Sequence, residues 1–330
     1  MLSSRPEASN ARGLPETVTD RQTLPALPET LAIAVAGASD TGGRPSNEDA
    51  VLAIELAGSG SGSGSGSGAS AVPAFLLAVA DGMGGHADGE VASRLAIETI
   101  RDAVPPGADG DAALLLKQAF RRANEAIVAE AEASCAAGMG TTLTAALLRG
   151  KYATVASVGD SRAYLLRGRS LTQVTQDHSL VAEQVAAGEL SPEDARSSPQ
   201  RNILTHALGT QPRLARDLPA VFELTLLPED RLLLCTDGFH DVLDQADYAE
   251  ILTAAAPAAS AARLIGLAKE RGTTDNVSVV VAVAVPTRVP TALPAPVPAR
   301  GVPVGAIAAA AIVAILVVLL IAALLLGVVP

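Results

Sequence analysis

Five aspartates of this 330-residue sequence stand where predicted strands begin or end. Each adjoins a short apolar run of the kind that forms a buried strand. Packed sheets can bring such ends together, and carboxylate oxygens gathered in one place bind hard cations such as Mg²⁺ or Mn²⁺. A single Asp-Gly is an ordinary turn signal, so it is the repetition along the chain that predicts a cation site. The five are Asp49, Asp81, Asp160, Asp237 and Asp275.

The stretch from Asp81 to Gly85 is the most informative of these places. It follows the apolar run 74–80, and it contains three glycines in four positions. Glycine permits backbone conformations and close approaches that a Cβ would block. The glycines do not form a dinucleotide-binding or P-loop pattern, because no Gly-Lys-Ser/Thr follows them. A carboxylate on a strand end beside a glycine turn is instead well placed to bind a cation.

The other polar candidates favour structural roles. Ser161 lies in a Gly-Asp-Ser-Arg turn without the Gly-x-Ser-x-Gly pattern of a nucleophilic serine, which favours a turn hydroxyl. We interpret Arg162 as an ion-pair partner of the strand-end acids. The histidines are scattered, so we do not expect them to ligate a metal. They are His86, His178, His206 and His240.

The elements that must position these acids alternate between strands and helices. Strands are predicted at 31–36, after Asp49 as far as residue 56, and at 74–80, 221–227, 231–235 and 277–285. A series of further strands is predicted over 138–174. Helices are predicted at 90–104, 111–133, 248–255 and 258–270. Residues 177–209 form a polar insertion with two short helical segments.

Three segments lack the periodicity of packed elements. Residues 1–30 mix Pro, Glu, Thr and Arg and predict a disordered lead. Residues 58–68 alternate Gly and Ser without exception, which predicts a flexible expanded loop inside the domain. Residues 286–300 contain five prolines and predict a stiff, extended linker.

The apolar 24-residue stretch 306–329 predicts a transmembrane helix, because about 20 residues suffice to cross a bilayer. Its length and the absence of a polar face disfavour a buried core helix. Arg288 and Arg300 precede the stretch, so the positive-inside tendency predicts a single-pass tail anchor in the cell membrane, with the preceding part of the chain in the cytoplasm. Cys135 and Cys235 have no metal-type spacing, and we expect both to be reduced and buried.

The net charge of −11 and the absence of basic clusters argue against nucleic acid as a partner. What the chain does contain is a series of motifs in a definite order. They are 44–49 (Arg-Pro-Ser-Asn-Glu-Asp), 81–85 (Asp-Gly-Met-Gly-Gly), 159–162 (Gly-Asp-Ser-Arg), 236–238 (Thr-Asp-Gly) and 275–276 (Asp-Asn).

Together these motifs resemble the metal-dependent serine/threonine protein phosphatases of type 2C, in their bacterial form. The resemblance covers about residues 31–285. It implies an α+β fold, an αββα sandwich of two antiparallel sheets flanked by helices, to which the sequence adds the C-terminal transmembrane helix. It also implies that 177–209 is a mobile flap beside the active site.

The activity implied by the resemblance is hydrolysis of phosphoserine and phosphothreonine in proteins. A hydroxide bridging two Mn²⁺ or Mg²⁺ ions would attack phosphorus directly, with no covalent enzyme intermediate. Arg44 would bind the phosphate group, and Asp81 would bridge the two ions. The implied partners are phosphorylated proteins, together with the serine/threonine kinases that act on them.

The remaining implied ligands divide among the ions. Asp237 and Asp275 would complete one site, and Asp160 with Asp237 would hold a third, weaker ion near the flap. The other site would take the Gly82 carbonyl and either Glu48 or Asp49, a choice that the sequence leaves open.

Two departures from the family pattern bear on the chemistry. Met83 stands where some relatives have His, and methionine cannot donate a proton, so leaving-group protonation must come from a metal-bound water or from another residue. The spacing from Asp40 to Arg44 is one residue shorter than the commoner pattern.

Two other classes of function compete with the enzyme. A catalytically silent, membrane-tethered phosphoprotein-binding scaffold would be expected to have lost acids, and here all are present. A calcium-dependent structural domain is disfavoured because the carboxylates are dispersed, unlike those of an EF-hand loop.

Overall fold

The computed structural model describes residues 31–56, 73–107 and 110–286. The strands in this part of the chain are β1 (Leu31–Asp40), β2 (Asp49–Leu56), β3 (Ala74–Met83), β4 (Gly140–Thr141), β5 (Leu143–Arg149), β6 (Tyr152–Val158), β7 (Arg162–Arg167), β8 (Ser170–Gln173), β9 (Ala220–Thr225), β10 (Arg231–Cys235) and β11 (Val277–Pro286). The helices are α1 (His86–Ala103), α2 (Ala112–Ser134), α3 (Leu180–Ala186), α4 (Pro192–Ser197), α5 (Asp237–His240), α6 (Gln245–Ala254) and α7 (Pro257–Glu270).

The strands form two antiparallel sheets. One has the order β1-β11-β10-β7-β8, and the other has the order β2-β3-β5-β6-β9, with β4 paired to the end of β3. One apolar layer lies between the sheets, and α1 and α2 pack on the outer face of the second sheet. Helices α5, α6 and α7 pack on the outer face of the first. The predicted α+β sandwich of two antiparallel sheets with flanking helices is therefore confirmed.

Alternation along β3 shows why its sequence is an unbroken apolar run. Leu77 and Val79 face the layer between the sheets, whereas Leu76 and Ala78 face the helices, where Phe120 of α2 is buried. Successive side chains of a strand point to opposite faces, so a strand covered on both faces must be apolar at every position. Burying each large side chain contributes about 1.5–3 kcal/mol.

The first sheet follows the same rule at β11. Val279 and Val281 pack against α6 and α7, beside the buried side chains of Tyr248 and Leu264, while Val280 lies between the sheets. This two-sided burial fixes the register of β11. The strand begins at Val277, so the residues just before it lie at the edge of the sandwich.

The strand registers bring the five predicted acids to one end of the sandwich. Asp49 and Asp81 are directly opposite each other across β2 and β3. Cys235 at the end of β10 pairs with Arg162 at the start of β7 and with Val279 near the start of β11. The acids that lie just beyond these strand ends are Asp160, Asp237 and Asp275.

Some element boundaries differ from the sequence prediction. Helix α1 begins at His86 instead of residue 90, directly after Gly85 (φ 95°), so the glycine turn is tighter than expected. Asp237 does not end a strand but begins the short helix α5. The predicted insertion 177–209 does contain two short helices, α3 and α4.

The expectation that both cysteines are buried was wrong for Cys135. It follows α2 in the left-handed conformation (φ 55°), and its side chain is exposed. A helix-terminal position at the surface leaves the thiol in solvent, whereas Cys235 in β10 is buried.

Several predicted segments lie outside the described residues. They are the lead 1–30, the Gly/Ser loop 58–68, the linker 286–300 beyond Pro286, and the apolar stretch 306–329. Within the described ranges, none of the helices is both long enough and apolar enough to cross a bilayer.

Candidate active site

A cavity of about 600 Å³ opens at the acidic end of the sandwich. All of the predicted site residues line it except Asp49. The lining residues among them are Arg44, Glu48, Asp81, Gly82, Asp160, Asp237 and Asp275. Strand ends from both sheets thus supply oxygen donors to one space.

The backbone of Asp81 is fixed by β4 and the residue that follows it. Asp81 N–H donates to Thr142 Oγ1 at 3.0 Å, and Thr142 N–H donates to the Asp81 carbonyl at 2.9 Å. The Thr141 hydroxyl donates to the same carbonyl at 2.8 Å. Thr142 Oγ1 also shares a hydrogen bond of 2.7 Å with Ser161 Oγ, so Ser161 has the structural role expected of it.

Asn276 fixes the loop that carries Arg44 and Glu48. Its Nδ2 donates to the Thr41 carbonyl at 3.0 Å and to the Ser46 carbonyl at 2.8 Å, and its Oδ1 accepts from Glu48 N–H at 2.8 Å. One amide side chain therefore holds three points of the loop, which sets the side chain of Arg44 at the cavity.

The Arg44 guanidinium is paired with Asp275 inside this space. Arg44 Nη2 donates to Asp275 Oδ2 at 2.7 Å, and about half of the Arg44 side chain remains exposed. This hydrogen bond raises the pKa of Arg44 above its usual value, against the opposing effect of partial burial. A guanidinium has five N–H donors, so the contact with Asp275 does not exhaust its capacity to bind an anion.

Two glycines permit main chain to pack against main chain around the acids. A Cβ at Gly82 would collide with the carbonyls of Gly89 and Glu48, and a Cβ at Gly238 would collide with the carbonyl of Asn276. Only glycine fits where backbones approach this closely. Gly82 itself lines the cavity.

Asp49 lies behind this wall, away from the cavity. Its Oδ2 accepts a hydrogen bond of 2.8 Å from Thr236 Oγ1. Its Oδ1 is buried without a hydrogen-bond partner among the described residues. Of the two acids that the sequence left open, the structure places Glu48 on the cavity and Asp49 beneath it.

Burial and mutual repulsion raise the pKa values of the clustered acids. Burial, followed by the charges of Asp237, Asp49 and Asp160, holds the pKa of Asp81 well above its usual range. Burial also raises the pKa of Asp237, and the charge of Asp275 adds to the rise while His240 opposes it.

The same effects act on the two neighbouring acids. Burial raises the pKa of Asp49 to about 7, although the neighbouring Ser278 and the hydrogen bond from Thr236 oppose the shift. Burial and the Asp237 charge raise the pKa of Asp160 to about 7. Raised carboxyl pKa values of this kind mean that nearby positive charge does not fully compensate for burial and repulsion. A divalent cation would supply that charge.

The chemistry of this donor set fits Mg²⁺ or Mn²⁺. The donors that line the cavity include carboxylate oxygens, which these ions prefer. Among the described residues, however, no three His, Cys, Asp or Glu side chains already converge as a compact ligand group. The ion pair between Asp275 and Arg44 is one physical reason why the acids do not converge, because the Asp275 carboxylate is turned towards the Arg44 guanidinium.

Comparison with known proteins decides the family. The family model described as protein phosphatase 2C matches residues 67–270. The chain belongs to the protein phosphatase 2C family.

Two curated members of this family illustrate the similarity. The chain is 41% identical over 259 residues to the serine/threonine protein phosphatase PstP of Mycobacterium tuberculosis; the match covers 77% of this chain and 45% of PstP. It is 38% identical over 216 residues to the serine/threonine phosphatase stp of Listeria monocytogenes, covering 62% of this chain and 83% of the relative. The chain thus spans less than half the length of PstP.

A solved family structure agrees with the fold. The catalytic domain of PstP in complex with two manganese ions superposes with a TM-score of 0.66 at 39% identity, covering 78% of this chain and all of that domain. The protein phosphatase 2C fold is therefore shared over nearly the whole described region.

Several residues that build this phosphatase-family site were given no role in it by the sequence, although Thr236 and Asn276 stand in the motifs. Thr142, Thr236 and Asn276 anchor the acids and the Arg44 loop, and His206 lines the cavity from the insertion 177–209. A threonine in a strand gives no local signal of such a role. Asn276 stood in the motif 275–276, but its role depends on hydrogen bonds to a loop that is far away in the sequence.

Arg162 proved to be an ion-pair residue, but its partner differs from the expected strand-end acids. Its Nε and Nη2 donate to Asp177, the shortest contact being 2.6 Å. Burial acts to lower the pKa of Arg162, but the hydrogen bonds and charge of Asp177 outweigh burial and raise this pKa above its usual value. Asp177 is the first residue of the insertion 177–209, so this ion pair fixes the start of the insertion to β7.

Proposed function

We propose that this chain hydrolyses phosphoserine and phosphothreonine in proteins, with Mn²⁺ or Mg²⁺ as cofactor. The observation that carries the proposal is the gathering of Asp81, Asp160, Asp237 and Asp275 with Arg44 around one cavity. Buried acids around a pocket favour cations, and Arg44 beside them favours an anion that binds alongside those cations. A phosphate monoester with divalent cations meets both requirements.

The roles proposed for the side chains are those that the family resemblance implies, and the position of these residues around one cavity supports them. Asp81 and Asp237, together with Asp275, would hold one ion, and Asp81, the Gly82 carbonyl and Glu48 would hold the other. Asp160 with Asp237 would hold a third. When bound, the ions neutralise the phosphoryl oxygens and make a water nucleophilic at neutral pH.

Arg44 would bind the phosphate group through its planar fork of N–H donors. The loop hydrogen bonds of Asn276 keep this fork at the cavity before substrate arrives, which lowers the entropy cost of positioning the phosphate. The threonines around Asp81 hold its backbone in place in the same way.

The proposed activity is tested with the full chain in detergent. Release of phosphate from a phosphothreonine peptide is measured with Mn²⁺, with Mg²⁺ and with EDTA, and a phosphotyrosine peptide serves as the control. We expect turnover of the phosphothreonine peptide only with a divalent ion. Turnover that persists in EDTA, or no turnover with either ion, would contradict the proposal.

We also propose that the chain is anchored in the cell membrane by residues 306–329, with the phosphatase part in the cytoplasm. The support is the sequence: as a helix at 1.5 Å per residue the stretch would be about 36 Å long, enough to cross a hydrocarbon core of about 30 Å with some tilt. Arg288 and Arg300 on its N-terminal side favour a cytoplasmic location for that side.

A charge introduced into the middle of the stretch tests the anchor. Val317→Arg should move the protein from the carbonate-resistant membrane fraction towards the soluble fraction, because a central arginine costs about 2.5–3.5 kcal/mol of insertion. Val317→Ala is the matched control and should stay in the membrane. Wild-type protein in the soluble fraction without detergent, or digestion of the phosphatase part by protease outside intact cells, would contradict the proposal.

The natural substrates are proposed to be proteins phosphorylated by serine/threonine kinases of the same cell. The proposed anchor would favour those that lie at the membrane, because it keeps the active site close to them. Kinase-phosphorylated membrane proteins incubated with the full chain should lose phosphate from serine and threonine. Retention of that phosphate under conditions in which the peptide is hydrolysed would contradict this part of the proposal.

A further inference from the structure

The C-terminal end of the insertion 177–209 lies beside the strand that carries Met83. Thr141 pairs with Gly82 on one side and with Leu208 on the other, through hydrogen bonds of 3.0 and 2.9 Å to Leu208. Met83 pairs with Gly140, and a Cβ at Gly140 would lie 2.8 Å from both Met83 Cε and the Leu208 carbonyl. The Met83 side chain therefore ends next to the segment that carries residue 206.

His206 stands on this segment and lines the same cavity as Arg44 and Asp81. Its Nδ1 lies 3.2 Å from Thr205 Oγ1. Its ring meets the ring of His178 edge to face, with centroids 5.7 Å apart. Thr205 and His178 thus both contact the imidazole, and Nε2 is the ring nitrogen that is not engaged by Thr205.

A proton donor is needed at this place if the chain has the proposed function. When the bond between phosphorus and a serine or threonine oxygen breaks, the departing oxygen is strongly basic and must gain a proton. Methionine has no proton to give, so Met83 cannot supply it. Histidine is the side chain most often used for proton transfer near neutral pH.

We propose that His206 is the general acid that protonates the departing serine or threonine oxygen. This inference rests on the proposed phosphatase function. As a water oxygen bonds to phosphorus and the ester P–O bond breaks, the ester oxygen takes the proton from His206 Nε2. The water releases a proton to solvent, and solvent returns one to His206, so the products are the free hydroxyl and inorganic phosphate.

Leaving groups of different basicity test this role in the full chain. A phosphothreonine peptide releases a basic alkoxide that needs a proton, whereas p-nitrophenyl phosphate releases a stable phenolate that does not. The kcat for both substrates is measured at saturating Mn²⁺ for wild type, His206→Ala and His206→Gln. We expect kcat on the peptide to fall by about 10²-fold or more in both variants, and kcat on p-nitrophenyl phosphate to change only a few-fold.

Ile203→Ala is the control for general disturbance of the insertion, because Ile203 is exposed and does not line the cavity. It should leave kcat unchanged for both substrates. Unfolding midpoints and Mn²⁺ affinity should match wild type in all variants, which separates the loss of an acid from a loss of fold or metal.

An equal loss of kcat on both substrates, or no loss on the peptide, would overturn the assignment of His206. That result differs from failure of the proposed function itself, in which the wild-type chain would show no metal-dependent turnover of either substrate.

Discussion

The Thr236 hydroxyl donates a hydrogen bond of 2.8 Å to the Asp49 carboxylate, joining residues 187 positions apart in the sequence. Ser278 N–H donates in turn to Thr236 Oγ1 at 3.1 Å. These contacts tie the start of β2 to the end of β10 and the start of β11. They commit Asp49 to holding the two sheets together beneath the cavity, which leaves Glu48 as the acid on its surface.

This difference in position predicts a difference in metal affinity. We expect Glu48→Gln to weaken Mn²⁺ binding by about 10-fold or more, because it removes a carboxylate from the cavity wall. Asp49→Asn should weaken binding less, since Asn can still accept the Thr236 hydrogen bond. Isothermal titration calorimetry of both variants checks the order, and the reverse order would show that Asp49 is the ligand.

Asp81→Asn should have opposite effects on activity and on stability. Metal-dependent turnover should fall by at least about 10²-fold, since the ions act as Lewis acids worth several kcal/mol and Asp81 would bridge them. Without metal, the variant should melt at a higher temperature than wild type. The reason is that burial raises the pKa of Asp81, so ionising this carboxyl as pH rises towards neutrality costs folded-state stability. Thermal melts in EDTA at about pH 7.5, where the unfolded-state carboxyl is fully ionised, measure this, and an unchanged or lower midpoint would contradict the electrostatic account.

Arg44→Ala should raise KM for the peptide far more than it lowers kcat, because Arg44 is proposed to bind the phosphate group. Mn²⁺ affinity should not fall, since the substitution frees Asp275 from its 2.7 Å ion pair. Arg44→Lys keeps the charge without the planar fork and should be intermediate in KM. Lost metal binding in Arg44→Ala would show that the residue acts through the metal site.

Asp160→Ala should reduce activity mainly at limiting metal. Asp160 lines the cavity together with Asp237, but it is not on the strand pair β2–β3 that carries Asp81. The ion that it is proposed to hold is the most weakly bound of the three. Activity is titrated against Mn²⁺ concentration, and a rightward shift of the curve is expected. A curve identical to wild type at every concentration would remove the third ion from the proposal.

The ion pair of Arg162 with Asp177 should contribute substantially to stability. Its side chains are 26% and 10% exposed. Among the described residues, Arg162→Met would leave this poorly solvated carboxylate with the hydrogen bond from Gln173 alone. We expect a loss of about 3 kcal/mol in the free energy of unfolding, measured with urea.

The exposed pair Arg263–Glu270 provides the matched comparison, because its side chains are 55% and 59% exposed. Arg263→Met should cost less than about 1 kcal/mol, as is usual for solvated pairs. Similar losses at the two sites would mean that burial of the Arg162 pair does not matter.

The sequence predicted most of the fold because its strands are covered on both faces. Continuous apolar runs as short as 74–80 and 277–285 are typical of strands buried on both sides, and the acids that adjoin them had to lie at strand ends. The boundary at Asp237 could not be predicted, because the start of one short helical turn has no periodic signal.

The sequence predicted those site residues whose type contrasts with their neighbours, such as an aspartate at the end of an apolar run. It was not predictable where long-range pairing decides the role. The position of Asp49 depends on Thr236, and the place of His206 depends on Leu208 pairing with Thr141. Neither relationship leaves a mark within a few residues of the side chain concerned.

The main-chain packing at Gly82 and Gly238 also limits how the sequence can diverge. A Cβ at either position would displace a neighbouring backbone. We therefore expect selection to remove substitutions there, whether the new side chain is polar or apolar. Change can enter through side chains that border the open space, such as Met83 and His206. The fold around the acids can therefore stay the same in different lineages while the residue proposed to donate the proton at the edge of the cavity changes.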